Sequence, residues 1–119
     1  MLIWIKLASV LMAVGIILGA FGGHALKAKL DPYHLEVYKI AVLYHLIHAL
    51  GLFAVAWVSS LTNDPKVTLA GYFLLAGIVL FSGSLYILSI TQIKWIGAIT
   101  PLGGLSFIIG WILLALIKY

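Results

Sequence analysis

Hydrophobic positions along the chain gather into four long apolar stretches, separated by short polar connections. The stretches cover residues 2–23, 40–61, 67–90 and 96–118. Each is close to the ~20 residues that an α-helix needs to cross a bilayer, and open strands cannot satisfy their backbone groups in lipid. We therefore predict a single all-α domain, an integral membrane four-helix bundle whose sequential helices are antiparallel neighbours because the connections are short.

Two Asp-Pro pairs mark where helices begin. Asp31-Pro32 combines an N-cap residue with proline at the first helical position. The second helix should therefore begin at Pro32 and carry an amphipathic N-terminal part ahead of its span. Asp64-Pro65 gives the same signal for the third helix.

A third proline lies inside the fourth stretch, at Thr100-Pro101. The helix either kinks there, or a short element ends and Thr100 caps a helix that starts at Pro101. Both interpretations leave backbone groups near Thr100 that need partners, so the segment TPLGG is expected to lie against protein instead of lipid.

Composition fits a polytopic membrane protein, since 65% of the 119 residues are hydrophobic and 8% are charged. The first stretch is too long for a signal-peptide core and is expected to be a retained span. The absence of cysteine excludes disulfides, thiolate metal sites and a cysteine nucleophile. The net charge of +4 comes from scattered lysines, which suit anionic lipid as a partner and not nucleic acid.

Threading the four stretches alternately through a bilayer brings most of the polar side chains into one half of it. Such side chains are costly in lipid and usually face the interior of the bundle. We predict a polar ligand-binding pocket formed by His24, Tyr44, His45, His48, Ser82, Ser84 and Thr100.

The second helix carries a stripe with steps of three and four residues, which places its members on one face. The stripe consists of His34, Tyr38, Ala41, His45, His48 and Leu52. Its histidines could handle protons, bind a metal or line a pocket for a ligand headgroup. Alternatively, they hold the helices together through hydrogen bonds to Ser82, Ser84 or carbonyls near Thr100.

A metal site is the narrower hypothesis, with His45 and His48 as two ligands on one helix and His24 as a third. The pair lacks the glutamate of the HExxH signature, and no carboxylate lies within a predicted span. A haem held by two histidines is a further variant. The residues do not specify a cofactor.

Small residues recur at helical spacing on three of the predicted helices. They are Gly15, Gly19 and Gly23 on the first, Gly77 on the third, and Gly103 and Gly104 on the fourth. Such positions let backbones approach closely, so we assign them to helix packing instead of catalysis. The glycine face of the first helix could also serve another copy of the chain or a different membrane protein.

Four ordered motifs carry a family resemblance: GAFGGHAL, LYHLIHALGL, LFSGSLYIL and ITPLGGLSFIIGW. With them, nearly the whole chain resembles the YgdD/YwdK-like family of small bacterial inner-membrane proteins, whose function is unknown and to which transmembrane protein 256 looks distantly related. Gly23 stands where the common family form has alanine. The resemblance implies a four-helix protein of the bacterial plasma membrane and brings no established activity, substrate or catalytic residue.

Orientation rests on lysines at the helix ends. One end carries Lys27, Lys29, Lys39 and Lys94, and the other carries Lys6, Lys66 and Lys118. The positive-inside rule places the first end in the cytoplasm and both termini outside. Aromatic belts are expected at both interfaces, from Trp4, Trp57, Tyr72, Trp111 and Tyr119 at one and Tyr38, Tyr86 and Trp95 at the other.

These features predict a small, non-enzymatic, multi-pass membrane protein that binds or moves a small ligand or protons through the polar pocket. One alternative is an accessory or assembly subunit that packs through its glycine-rich helix faces. A second alternative is a metal- or haem-dependent membrane enzyme that uses the histidines.

Overall fold

The computed structural model describes residues 1–118 of the chain. It contains four helices that are long and apolar enough to cross a membrane: α1 (Leu2–Leu26), α2 (Pro32–Ser59), α3 (Lys66–Thr91) and α4 (Lys94–Ala115). The predicted all-α architecture is therefore confirmed. Helix α1 packs along α2, α2 packs on α3, and α3 packs closely on α4.

Helix α2 begins at Pro32, as its cap signal predicts. The Asp31 carboxylate accepts the backbone N–H of His34 at 3.3 Å. The 28 residues of α2 would span roughly 42 Å at 1.5 Å per residue, more than the ~30 Å hydrocarbon core. Its first turns therefore extend beyond the apolar layer. Helix α3 starts at Lys66, one residue after the proline, and Asp64 accepts the Lys66 N–H at 2.9 Å.

Two of the helices contain a π turn, and α4 opens with a 3₁₀ turn. The π turns lie at Gly22–Leu26 in α1 and Ile78–Ser82 in α3, and the 3₁₀ turn at Lys94–Ala98 precedes α-helix from Thr100. A short separate element therefore ends before Pro101. In that alternative Thr100 would cap the helix, but its side chain forms no cap bond and contacts Ser84 instead.

Glycines on α1 allow close contact with α2. A Cβ on Gly15 would press on the side chains of His45 and Leu46, and one on Gly22 would overlap the Tyr38 ring. Gly19 meets Val42 in the same seam. Gly23 was predicted as the third member, but it has open space, because the π turn shifts the contact to Gly22. Gly15, Gly19 and Gly22 thus face side chains of α2.

Glycines also bring α3 and α4 together. A Cβ on Gly77 would overlap the Phe107 ring, and one on Gly103 would overlap the backbone of Phe81 inside the π turn. Gly104 is looser, since its Cβ would make ordinary contact with the Phe81 ring at 3.8 Å. The packing role predicted for these glycines fits Gly77 and Gly103 most closely.

The apolar core concentrates in the half of the bundle that contains the start of α1 and the end of α2. Its buried members are Trp4, Ala8, Leu52, Val55, Ala56, Val67, Leu74, Ile78, Phe107 and Ile117. A smaller cluster in the other half contains Val37, Ala41 and Leu85. Along α2, His45 and His48 lie between the residues of these two clusters.

The aromatic belts are only partly as expected. Trp57 and Trp95 are exposed, but Trp4 and Tyr38 are 5% and 2% exposed and belong to the interior. These rings lie inside the bundle instead of in a belt because small residues leave room for them. Gly71 lies opposite Trp4, and Gly22 lies opposite Tyr38. Tyr119 lies outside the described residues.

Candidate functional site

The predicted stripe on α2 is the buried face of that helix. Tyr38, His45 and His48 are at most 5% exposed, and His34, near the helix start, is half-buried. The two histidines nevertheless point to different neighbours, because positions three apart diverge by about 60° around a helix. His45 reaches α1 and α3, whereas His48 reaches α4.

His45 joins three helices. Its Nε2 lies 2.7 Å from the carbonyl of Leu11, so this nitrogen must carry a proton and donate. Its Nδ1 lies 2.8 Å from the Tyr86 hydroxyl, which donates to it when the ring is neutral. Gly15 makes this possible, since a Cβ there would come within 3.3 Å of His45 Nε2. Both ring nitrogens are therefore used within the bundle.

Tyr38 continues this cluster toward the start of α2. Its hydroxyl donates to the carbonyl of Leu18 on α1. Its ring tilts against that of Tyr86, with the centroids 5.4 Å apart. Tyr38 and Tyr86 contact each other through their rings.

His48 joins α2 to α4. Its Nδ1 donates to the carbonyl of Tyr44 at 2.8 Å, and its Nε2 accepts the indole N–H of Trp111 at 3.0 Å. The imidazole stacks on Phe107 with 3.5 Å between ring centroids and 13° between planes. His48 thus has hydrogen bonds on both edges and an aromatic ring on one face.

The hydroxyl residues of the predicted pocket form a separate contact between α3 and α4. Ser84 donates to the Phe81 carbonyl at 2.9 Å and lies 2.6 Å from the Thr100 hydroxyl. Ser82 is buried, and its Oγ has no hydrogen-bond partner within residues 1–118. Neither serine bonds a histidine, so the partners foreseen for His45 and His48 are not the ones they use.

His24 stands apart from both histidines of α2. It is exposed in the π turn that ends α1. In the part of the chain that the structure describes, no three His, Asp or Glu residues come together as a metal-ligand set. The seven residues predicted to share one pocket are thus distributed over five places: the contacts of His45, the contacts of His48 with Tyr44, the Ser84–Thr100 contact, the buried and unbonded Ser82, and the exposed turn with His24.

A groove of about 350 Å³ lies along the His48 cluster, on the outer side of α2, α3 and α4. Its lining residues are Tyr44, His48, Phe81, Gly104, Phe107, Ile108 and Trp111. Tyr44, Ile108 and Trp111 are exposed, and they lie on membrane-spanning helices. The groove therefore opens sideways toward the acyl chains of the bilayer.

Two aromatic partners of the histidines and one buried serine were missed as site residues by the sequence analysis. Tyr86 and Trp111 were assigned to interface belts, whereas their polar atoms bond His45 and His48 inside the bundle. Ser106, which donates to the Phe73 carbonyl at 2.6 Å, was not singled out. The glycines of α1 were the available signal for the His45 contact, because small residues there leave room for a ring from α2.

A family described as "Protein of unknown function (DUF423)" matches residues 18–104, which include the π turn of α1 and both buried histidines of α2. The chain belongs to the DUF423 family. It is similar to UPF0382 membrane protein YwdK of Bacillus subtilis, with 56% identity over 112 residues that cover 92% of this chain and 89% of the relative. UPF0382 membrane protein SSP2132 of Staphylococcus saprophyticus is 50% identical over 106 residues, covering 89% and 86%.

No solved structure matches the chain. The match to DUF423 and the relatives' names agree with the resemblance to YwdK-like proteins given by the four motifs. This DUF423 protein is therefore a multi-pass helical protein of bacterial membranes, in a family without an assigned activity.

Proposed function

We propose that this protein binds a membrane-soluble small molecule with a flat ring in the groove beside His48. The observation that carries the proposal is the position of the His48–Trp111 hydrogen bond at the wall of a groove that opens to lipid. Polar groups within a bilayer mark binding sites more often than polar groups at a soluble surface do.

The dimensions and lining of the groove suit such a ligand. Its volume of about 350 Å³ lies within the range of small-molecule sites, which are mostly apolar with a few polar groups. The Tyr44 ring is within 10° of parallel to His48 and within 22° of parallel to Phe107. These faces favour stacking with a flat ring, and the Tyr44 hydroxyl can supply a hydrogen bond, whereas the indole N–H of Trp111 is already donated to His48.

The proposal separates binding from the rest of the polar network. His45 and Tyr86 do not line the groove, and we assign to them the role of holding α2 against α1 and α3. Tyr44 and His48 are the members of the predicted pocket that line the groove. His24, Ser82, Ser84 and Thr100 do not line it and have no part in the proposed binding.

A groove-filling variant tests the proposal without altering His48. Gly104 lines the groove and has room for a side chain, so Gly104→Leu should occupy the groove while the bundle stays folded. Gly23→Leu is the matched control, because an added Cβ there meets open space outside the groove. The probe is a benzoquinone with a short isoprenoid tail, titrated into protein in phosphatidylcholine nanodiscs while tryptophan fluorescence is recorded.

We expect saturable quenching in the parent protein and in Gly23→Leu. We expect a loss of about tenfold or more in affinity, 1.4 kcal/mol or more, in Gly104→Leu. Trp111→Phe should remove most of the quenching signal, since the other tryptophans lie outside the groove. Equal, non-saturable quenching in all these proteins would contradict the proposal.

We also propose that the end of the bundle with Lys27, Lys29, Lys39 and Lys94 faces the cytoplasm, as the positive-inside rule indicates. The lack of cysteine allows single-cysteine labelling. Ala28→Cys lies in the first connection and Asn63→Cys in the second, and both positions are exposed. In intact cells, a membrane-impermeant maleimide should label Asn63→Cys and spare Ala28→Cys, and the reverse pattern would contradict this orientation.

A further inference from the structure

A second cavity, outside the histidine clusters of the bundle, lies at the Lys-rich end of the molecule. It has a volume of about 440 Å³ and lies between the start of α2 and the connection from α3 to α4. Its lining residues are Tyr33, His34, Leu88, Gln92, Lys94 and Gly97. The side chains of Tyr33, Gln92 and Lys94 can donate hydrogen bonds in their ordinary state. His34 can donate from Nε2 when both of its ring nitrogens carry a proton.

The geometry of the connection brings these groups together. Gln92 adopts a left-handed backbone conformation, with φ of 59°, which ends α3 and reverses the chain. Lys94 follows two residues later at the start of the 3₁₀ turn. The Gln92 amide reaches the Asp31 carboxylate at 3.5 Å, which ties the connection to the start of α2.

Asp31 orients the imidazole of His34. Its Oδ1 lies 2.6 Å from His34 Nδ1, so Nδ1 donates to the carboxylate. Nε2 is not used by that bond, and it donates to an anion when the ring carries both protons. Asp31 is the acidic residue beside the cavity. Its carboxylate accepts hydrogen bonds from both the ring and the backbone N–H of His34. Lys94 forms no ion pair within residues 1–118.

We propose that this cavity binds the phosphate of an anionic phospholipid, with Lys94 and His34 as its main contacts and Gln92 and Tyr33 beside them. The charge around the cavity is complementary to an anionic headgroup. Lys27, Lys29 and Lys39 lie at the same end of the molecule, where Asp31 and Glu36 are the acidic residues. The cavity lies where three spans begin or end, at the level of lipid headgroups, and Leu88 on its wall can contact the upper part of an acyl chain.

Lipid retention in native mass spectra tests the site. The full chain is placed in nanodiscs that contain equal amounts of phosphatidylglycerol and phosphatidylcholine. The protein is then released from the nanodiscs in the mass spectrometer, and the lipids that stay bound to it are identified. We expect the parent protein to retain phosphatidylglycerol preferentially. Lys94→Gln should weaken that retention about fivefold, since a lysine near anionic lipid is worth about 1 kcal/mol. The matched control is Lys29→Gln, an exposed lysine at the same end that does not line the cavity.

Two further measurements complete the test. Gly97→Leu should fill the cavity and reduce retention while every charge stays in place, because an added Cβ at Gly97 has ordinary contact with Leu88 at 3.7 Å. Added inorganic phosphate should not displace the bound lipid, and displacement would identify a site for free phosphate instead. Equal losses in Lys94→Gln and Lys29→Gln, or no effect of Gly97→Leu, would overturn the proposal.

Discussion

The indole N–H of Trp111 donates to Nε2 of His48 across the contact between α4 and α2, at 3.0 Å. An indole nitrogen can only donate, so His48 must keep Nε2 unprotonated for this bond to exist. Its other nitrogen donates to the Tyr44 carbonyl, which leaves the imidazole neutral and in one tautomer. The fourth helix therefore fixes the state of a histidine on the second.

Trp111→Phe should destabilise the bundle because it removes the only donor to His48 Nε2 in this contact and leaves that nitrogen without a partner. Hydrogen bonds between membrane helices average roughly 0.6 kcal/mol and reach about 1.7 kcal/mol, and we expect a loss of unfolding free energy in that range. Unfolding in mixed detergent micelles, followed by circular dichroism, measures it. Trp57→Phe is the control, since Trp57 is 65% exposed, and an equal loss there would show that the hydrogen bond contributes nothing.

The contact between His45 and Tyr86 should appear as coupling between the two positions. Tyr86→Phe keeps the ring and removes the hydroxyl that lies 2.8 Å from His45 Nδ1. In a double-mutant cycle with His45→Ala, we expect a coupling energy of roughly 0.6 to 1.7 kcal/mol in the free energy of unfolding. Pairing Tyr72→Phe with His45→Ala should give no coupling, because Tyr72 is exposed and its ring contacts Trp4 instead of His45. Strict additivity in the first cycle would remove the stabilising role of this hydrogen bond.

Most of the fold could be predicted from local signals in the sequence. The apolar stretches and the Asp31-Pro32 pair act within a few residues of where they stand, so spans and helix starts could be predicted. The burial of His45 and His48 followed equally from spacing on one helical face. Their partners did not follow, because rotation about α2 directs one ring to α1 and the other to α4, and spacing alone cannot assign neighbours.

The π turns account for much of what the sequence could not indicate. An extra residue in a helical turn shifts every later side chain around the axis, and no local pattern marks where it occurs. The turn at the end of α1 places Gly22 instead of Gly23 against Tyr38, and leaves His24 exposed. The turn in α3 brings the backbone of Phe81 against Gly103. Helical spacing alone does not predict this contact.

Gly103 and Gly104 should differ in their response to substitution by alanine. Gly103→Ala places a Cβ into the backbone of Phe81, which cannot move aside as a side chain can. Overpacking of this kind costs typically about 1–3 kcal/mol, and we expect the upper end or more. Gly104→Ala meets only the Phe81 ring at ordinary distance and should be neutral or slightly stabilising, because alanine favours helix. Thermal unfolding of the two variants in a maltoside detergent compares them, and similar melting temperatures would contradict this packing.

Asp64 links two parts of the chain that lie far apart in sequence. Its carboxylate accepts the backbone N–H of Lys66 at 2.9 Å and that of Lys118 at 3.1 Å, so the connection before α3 holds the segment after α4. These backbone bonds, with the Lys66 amine nearby, lower the pKa of Asp64 below its usual value of 3.8. The bonds favour the charged carboxylate, so the folded state should lose a stabilising contact when Asp64 is protonated.

The stability that Asp64 contributes should therefore be fully present above the usual aspartate pKa of 3.8. It should decline as the pH falls through the lower pKa of the folded state, because protonation then removes the charge that both N–H groups face. We expect the parent protein to exceed Asp64→Asn in melting temperature at pH 6, with the difference shrinking as the pH is lowered toward about 2. The pKa of Asp31 is also lowered, by its bond to His34, but Asp31 is present in both proteins and cancels in the comparison. Melting curves in a nonionic detergent at stepped pH measure the difference, and a constant or growing gap at low pH would mean that the Asp64 carboxylate does not hold the two segments together.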